Sequence, residues 1–373
     1  MQDVAEMVTE QVREVLDSIN VGVYLTDRDR KIIFWNHEAE RITGYPAEEV
    51  VGSRCRQGVL EHQDKDGRAL CTRDLCPLHR SIVTDQPTES PLLVYGKTRW
   101  GERKPFSTRT AALHDGEGEV IGGIEVFSDK SENMEKLSLA RTAQRHMLSE
   151  KLEGDGRISF DVEYAPVEMI GGDYYYFQSI PDDGYALFLA DVAGHGVSAA
   201  LYTSLLHSLA RECHDDLTDP GAFLTGVNER LCSRLPEVGF ITAVAAVFHP
   251  DQGRITWCSA GHPPPFIYRA AQDRVEIVET HHFPLGLPDA DGYEYEEVDV
   301  SRGDRFLVYT DGATELWVDD DSVMGIKGFA RVVETLSPQG NAHRLGEIYE
   351  SLVARCHTHM PEDDITLVSA LML

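Results

Sequence analysis

The sequence predicts an α+β fold in two parts joined by a helix, and three observations carry that reading. In the second half, clusters of strand-like segments with helices inserted between them suggest two sheets flanked by helices, an order that excludes a simple doubly wound βαβ fold. In the first half, two alternating segments flank the polar turn Asp27-Arg28-Asp29-Arg30, a hairpin signal, and a short helix over Asn36–Thr43 begins at an Asn cap. Between the halves, residues 129–152 contain no Pro or Gly and are rich in helix formers.

Length and charge bound what such a chain can do. At 373 residues it has room for roughly two domains, each burying its own core. A formal net charge of -29 argues against nucleic acid and anionic membranes as partners, because binding to either rests on Lys and Arg neutralising phosphates. No run is long and apolar enough to span a bilayer, and the acidic, amphipathic N-terminus is unlike a signal peptide, so a cytoplasmic location is expected. Seven Cys, an odd number without a secretion signal, point to thiols or metal ligands rather than a disulfide framework.

Taken in order, Val4, Met7, Val8, Val12, Val15 and Leu16 recur at helical spacing, predicting an amphipathic helix over 4–18 that packs on something. The hairpin and Asn-capped helix follow. Lys104–Leu113 and Glu119–Phe127 then read as an antiparallel pair around His114-Asp115-Gly116-Glu117-Gly118. Leu16-Asp17-Ser18, Leu25-Thr26-Asp27, Trp35-Asn36 and Gly44-Tyr45, in that order, resemble the opening of a PAS sensor domain, which would occupy residues 1–129 with its N-terminal helix. Within it Cys55, His62, Cys71 and Cys76 supply three soft thiols and an imidazole. They could complete a four-ligand site for zinc or iron, and Pro77 after Cys76 is reminiscent of haem and iron-sulfur proteins. Their C-x6-H-x8-C-x4-C spacing matches no standard zinc module, and small buried thiols with a solvated His are the competing reading. A PAS cavity could instead hold an organic ligand.

Residues 130–153 read as a helical linker, with Met134, Leu137, Ala140, Gln144 and Met147 roughly on one face, and Gly154-Asp155-Gly156 ending it. The second domain then spans 154–373. Strands are expected at Phe160–Tyr164, Tyr174–Ile180, Phe240–Phe248, Ile255–Ser259, Phe266–Tyr268, Val275–Val278, Arg305–Tyr309 and Ile365–Leu371. Helices are expected at Ser198–His214, Ala222–Leu235, Gly328–Leu336 and Ala342–His357. The centre of this half is Tyr185–Gly196, YALFLADVAGHG: an apolar run that reads as a strand buried on both faces and stops at Asp191. Burying an unpaired carboxylate costs several kcal/mol, so Asp191 needs water, a backbone amide or a metal ion. Asp173 after a Gly pair, Asp311 after Phe306–Thr310, and Asp363-Asp364 before Ile365–Val368 repeat the pattern. Each alone could be a turn or a cap; four together suggest a metal.

Six ordered motifs carry a second resemblance. Gly171-Gly172-Asp173-Tyr174-Tyr175, Asp191-Val192-Ala193-Gly194-His195-Gly196, Ser259–Pro265, Pro284-Leu285-Gly286, Tyr309–Glu315 and Asp363–Thr366 are similar to those of SpoIIE-type phosphatases, the bacterial branch of the metal-dependent PPM (PP2C-like) serine/threonine phosphatases. The resemblance implies an αββα sandwich with two Mn or Mg ions. Asp191 would bridge them, the Val192 carbonyl would serve one, Asp311 and Asp363 would hold the other, and Asp173 would approach the second. Oxygen ligands suit both metals. A metal-activated water would then attack the phosphoryl group, with Asp191, Asp311 and Asp363 as the catalytic set.

PAS, helix and phosphatase in series resemble the stress regulators that control sigma factors by partner switching. The implied substrate is a phosphorylated STAS-domain anti-sigma factor antagonist. A homodimer through the PAS and linker segments is expected. Two departures stand out: Tyr176, where the family often has Asp, and Met147-Leu148-Ser149 in place of Leu-Leu-Pro. A GGDEF-type cyclase shares only Gly171-Gly172-Asp173 and leaves Asp191, Asp311 and Asp363 unexplained. The other alternative is a non-catalytic PAS-containing signalling scaffold. His195 and His262, each beside Gly, are left out of the catalytic set as turn residues.

Overall fold

The structure is a computed structural model that describes residues 10–55, 58–65, 67–72, 75–89, 93–148, 156–180, 184–194, 196–234, 240–279, 282–288, 292–336, 345–357 and 361–373. The chain divides into two compact units, Met1–Lys136 and Leu137–Leu373. Residues 4–9 of the expected first helix, Gly154-Asp155 at the linker's end, His195 and residues 342–344 lie outside the described residues.

The first unit contains α1 (Glu10–Asp17), β1 (Gly22–Asp27), β2 (Ile32–Trp35), α2 (His37–Thr43), α3 (Ala47–Val50), α4 (Pro77–Thr84), β3 (Thr88–Glu89), β4 (Val94–Lys97), β5 (Arg103–His114) and β6 (Val120–Asp129). The antiparallel sheet runs β2-β1-β6-β5-β3, with β4 also on β5. Asn36 explains how the chain enters it. Its Oδ1 accepts from Ala39 N at 2.9 Å, capping α2, and from Val23 N at 2.8 Å; its Nδ2 donates to the carbonyls of Leu16 and Val21. Tyr24, Trp35, Phe106 and Phe127 fill the core, with Phe106 and Phe127 centroids 5.0 Å apart. The helix α1 departs from expectation, because none of its described residues is buried.

Helix α5 (Ser131–Met147) crosses the division between the units. The predicted face is the one it turns inward: Gln144 is buried and Met134, Leu137 and Met147 are half-buried, although Ala140 is exposed, while Leu139, off that face, is 73% exposed.

In the second unit follow β7 (Ile158–Ala165), β8 (Asp173–Ile180), β9 (Gly184–Val192), α6 (Val197–Glu212), α7 (Pro220–Arg234), β10 (Ile241–His249), β11 (Arg254–Ala260), β12 (Phe266–Arg269), β13 (Arg274–Ile277), β14 (Glu296–Asp299), β15 (Arg305–Tyr309), α8 (Gly325–Leu336), α9 (Leu345–Arg355) and β16 (Ile365–Met372). Two antiparallel five-stranded sheets run β14-β11-β10-β9-β8 and β13-β12-β15-β16-β7. Alternation along β9 shows why its sequence is apolar throughout. Phe188 and Ala190 join Leu206, Leu209, Phe223 and Leu224 of α6 and α7, while Leu187 and Leu189 meet Phe160, Val308 and Val368 across the sandwich. On the far side Leu307, Tyr309 and Leu367 pack on Phe329, Val333, Ile348 and Leu352 of α8 and α9. The result is a helix-sheet-sheet-helix sandwich, as expected. Truncating a fully buried aromatic such as Phe188 would cost ~3–5 kcal/mol.

Candidate metal centre

Strand register gathers the acidic residues at one end of the sandwich. Asp173 opens β8 and Asp191 lies near the close of β9, where the two are paired across the antiparallel ladder. In the other sheet β15 and β16 pair with Tyr309 opposite Leu367. That places Asp311, in the turn after β15, beside Asp363-Asp364, just before β16. Gly312 makes the approach possible: a Cβ there would lie 2.1 Å from the Asp364 carbonyl oxygen.

The charges act on one another strongly. Burial raises the Asp191 carboxyl far above the carboxylate range, and Asp173, Asp311 and Asp363 raise it further. Asp173 is raised by burial and then by Asp364 and Asp363; Asp311 is raised by burial and by Asp363. Without a counter-ion the cluster holds protons, and Asp191 and Asp311 share a hydrogen bond. Asp173 is 1% exposed. Its Oδ2 accepts from Thr310 Oγ1 at 3.0 Å and Thr366 Oγ1 at 2.5 Å, whereas its Oδ1 has no hydrogen-bond partner.

These residues fit a hard divalent cation. Every side chain in the set offers oxygen, one buried carboxylate oxygen is orphaned, and the backbone leaves room at Gly172, where a Cβ would meet the carbonyl oxygens of Val192 and Gly194 at 2.8 Å each. The side chains are neighbours and not a closed cage: among the described residues no group of three His, Cys, Asp or Glu converges tightly enough to hold an ion.

Support for the acidic end comes from residues that sequence reasoning missed. Asp364 is 3% exposed; its Oδ1 accepts from Val167 N at 2.7 Å and its Oδ2 from Gly172 N at 2.6 Å, fixing the loop that presents Asp173. Gln144 of α5 donates to Gly171 O at 2.7 Å and Thr203 Oγ1 at 3.1 Å, and accepts from Gly171 N at 3.3 Å. The Asp363-Asp364 doublet was the available signal for the first; nothing local marked the second. His262 is buried, bonds Thr242 through Nδ1 at 2.9 Å, and is pushed down to about 3 by burial, so it is neutral and no acid reserve near pH 7. A cavity of about 240 Å³ adjoins Asp363 and Gly312, lined also by Glu315, Trp317 and Glu362.

In the sensor quartet, Cys55, Cys71 and Cys76 influence one another's ionisation and share a neighbourhood, and the His62 ring has its Nε2 3.7 Å from Glu125 Oε1. Only its backbone N–H meets a thiol, donating to Cys71 Sγ at 3.1 Å. Burial pushes the Cys71 thiol up to about 12 and Cys55 higher still, favouring SH over the thiolate a metal requires. Among the described residues the four do not converge tightly enough to hold an ion. His62 is buried, not solvated.

Comparison with known proteins places this geometry. The model of the family described as Stage II sporulation protein E (SpoIIE) matches residues 181–371, just over half of the chain. The chain belongs to the SpoIIE family. The PAS fold matches residues 10–129. Among curated relatives, phosphoserine phosphatase RsbU of Bacillus subtilis (strain 168) is 24% identical over 254 residues, covering 68% of this chain and 73% of RsbU. Phosphoserine phosphatase RsbP of the same organism is 26% identical over 184 residues, covering 48% of this chain and 45% of RsbP. Among solved structures, the SiaA-PP2C domain of Pseudomonas aeruginosa superposes with a TM-score of 0.58 at 21% identity, covering 65% of this chain and 98% of that domain. At that identity the likeness establishes the PP2C-type fold alone. No helix among the described residues is long and apolar enough to cross a membrane.

Proposed function

We propose that this SpoIIE-family chain is a metal-dependent protein serine/threonine phosphatase under the control of its PAS unit. The observation that carries the reading is the meeting of Asp173, Asp191, Asp311 and Asp363, from four separate segments, around an orphaned buried carboxylate oxygen. Asp191 would bridge two Mn or Mg ions, with the Val192 carbonyl, Asp311, Asp363 and Asp173 completing the protein's share of the ligands. Such a pair supplies an activated water and neutralises phosphoryl oxygens. Asp364, Thr310 and Thr366 hold Asp173 in place, and the buried strands behind the site exclude water from one side.

The substrate in this reading is phosphoserine or phosphothreonine on a STAS-domain anti-sigma factor antagonist, a setting suggested by the resemblance to RsbU and RsbP. A cytoplasmic location and a homodimer through the PAS and linker segments go with it. The test is manganese-dependent release of phosphate from a phosphoserine peptide, from para-nitrophenyl phosphate and from candidate phosphorylated antagonists. Asp191→Ala is expected to abolish release while circular dichroism stays unchanged. Full activity in that variant refutes the site, and no release from the parent chain under any metal favours the scaffold reading.

A further inference from the structure

Beside the edge strand of one sheet in the second unit an arginine and two histidines stand along one groove, with Glu212, Asp215 and Asp216 adjacent in the chain. On α6, His207 and Arg211 stand one turn apart, and His214 follows the helix directly. Facing them, Tyr174, Tyr176 and Gln178 share one face of β8, the edge strand of its sheet. Tyr176, Gln178, Arg211 and His214 line a groove of about 450 Å³, within the usual size of small-molecule sites. The groove lies three to five residues along β8 from Asp173, ~10–17 Å away at strand rise, and shares no residue with the acidic end.

The groove's cation is uncommitted. Among the described residues neither the Arg211 nor the His214 side chain has a hydrogen-bond or ion-pair partner, and the adjacent carboxylate, Glu212, is taken by Arg234 at 3.0 and 2.5 Å. The Arg211 charge reaches Tyr174, Tyr176 and His207, lowering the pKa of each against the effect of burial on the tyrosines. Tyr176 donates its hydroxyl to Gln178 Oε1 at 2.8 Å, which fixes its ring as a wall. His207 bonds the Tyr174 hydroxyl at 3.2 Å and the backbone of Met147, so the stretch of α6 one turn before Arg211 is tied to the end of α5.

We propose that this groove is a second ligand site, binding a small phosphate-bearing molecule with a planar ring. Arg211 offers a planar fork to the phosphate, His214 adds a ring N–H donor, and the Tyr176 ring gives the planar group a stacking surface. A nucleoside monophosphate has this chemistry and fits the volume.

The experiment is calorimetric titration of the full chain with AMP, inorganic phosphate and adenosine in the presence of EDTA. Under chelation the four-carboxylate end repels anions, so binding reports the groove. AMP is expected to bind more tightly than phosphate, and adenosine not to bind measurably. Arg211→Ala should weaken AMP by roughly tenfold or more, the size of one lost charge-assisted contact, with unchanged circular dichroism and unchanged hydrolysis of para-nitrophenyl phosphate. Absence of AMP binding at millimolar concentration, or binding indifferent to Arg211→Ala, overturns the proposal.

Discussion

Asp364 shows how much of an acidic centre can be carried by a carboxylate outside the expected ligand set. It accepts two backbone N–H groups, those of Val167 and Gly172, and removing it leaves the buried one, Gly172, without its partner. Asp364→Ala should cost ~1–3 kcal/mol of stability in the second unit, the penalty of one stranded buried donor. The check is urea unfolding beside Asp191→Ala, which should lose activity without a comparable loss of stability. A second residue-scale consequence lies in the first unit, where Glu125 is fully buried, accepts from the Tyr24 hydroxyl at 2.7 Å and is pushed up to about 7 from 4.5 by burial. The folded unit therefore holds that proton more tightly than the unfolded chain does, and the stability it contributes is lost as pH rises from about 4.5 through about 7. His62 has the opposite sign: pushed down to about 4 from 6.5, it withdraws stability as pH falls across that interval. Glu125→Gln should stabilise the first unit by ~3 kcal/mol near about pH 8 and change little near about pH 5. Hydrogen exchange of the β1 and β6 amides reads this out, and equal protection in both proteins at the higher pH would refute it.

At the scale of elements, β9 was legible because both of its faces are covered, which demands an unbroken apolar run up to Asp191. The α2 cap was legible for the same local reason: an Asn side chain can reach the N–H three residues on. What stayed hidden depends on partners distant in the chain. The Arg211 groove joins residues of β8 and α6 about thirty-five positions apart, and the Glu125 carboxylate beside His62 lies about sixty positions further along the chain. The inward face of α5 was legible in its spacing, but not that its most buried member, Gln144, would be engaged by Gly171 and Thr203. Gln144→Ala should therefore speed hydrogen exchange at Gly171 and Gly172 and lower phosphatase activity several-fold, since the loop before Asp173 loses its anchor. Unchanged exchange in that loop would show the anchor to be dispensable.

The whole molecule has two self-sufficient cores, one in each unit, so either can respond to its surroundings without unfolding the other. In the homodimer proposed above, Val15 at 63% exposure and Leu139 at 73% are apolar side chains that the second copy would cover. Light scattering should give twice the chain mass, and Val15→Glu with Leu139→Glu should halve it; a monomeric parent chain would end the idea. One small feature sets a limit on the whole. Because the backbone of Asp364 occupies the space where any side chain at position 312 would begin, glycine there is a condition of the architecture before it is a condition of the chemistry. A descendant of this chain could abandon hydrolysis altogether and keep its shape, and it would still have to inherit that glycine.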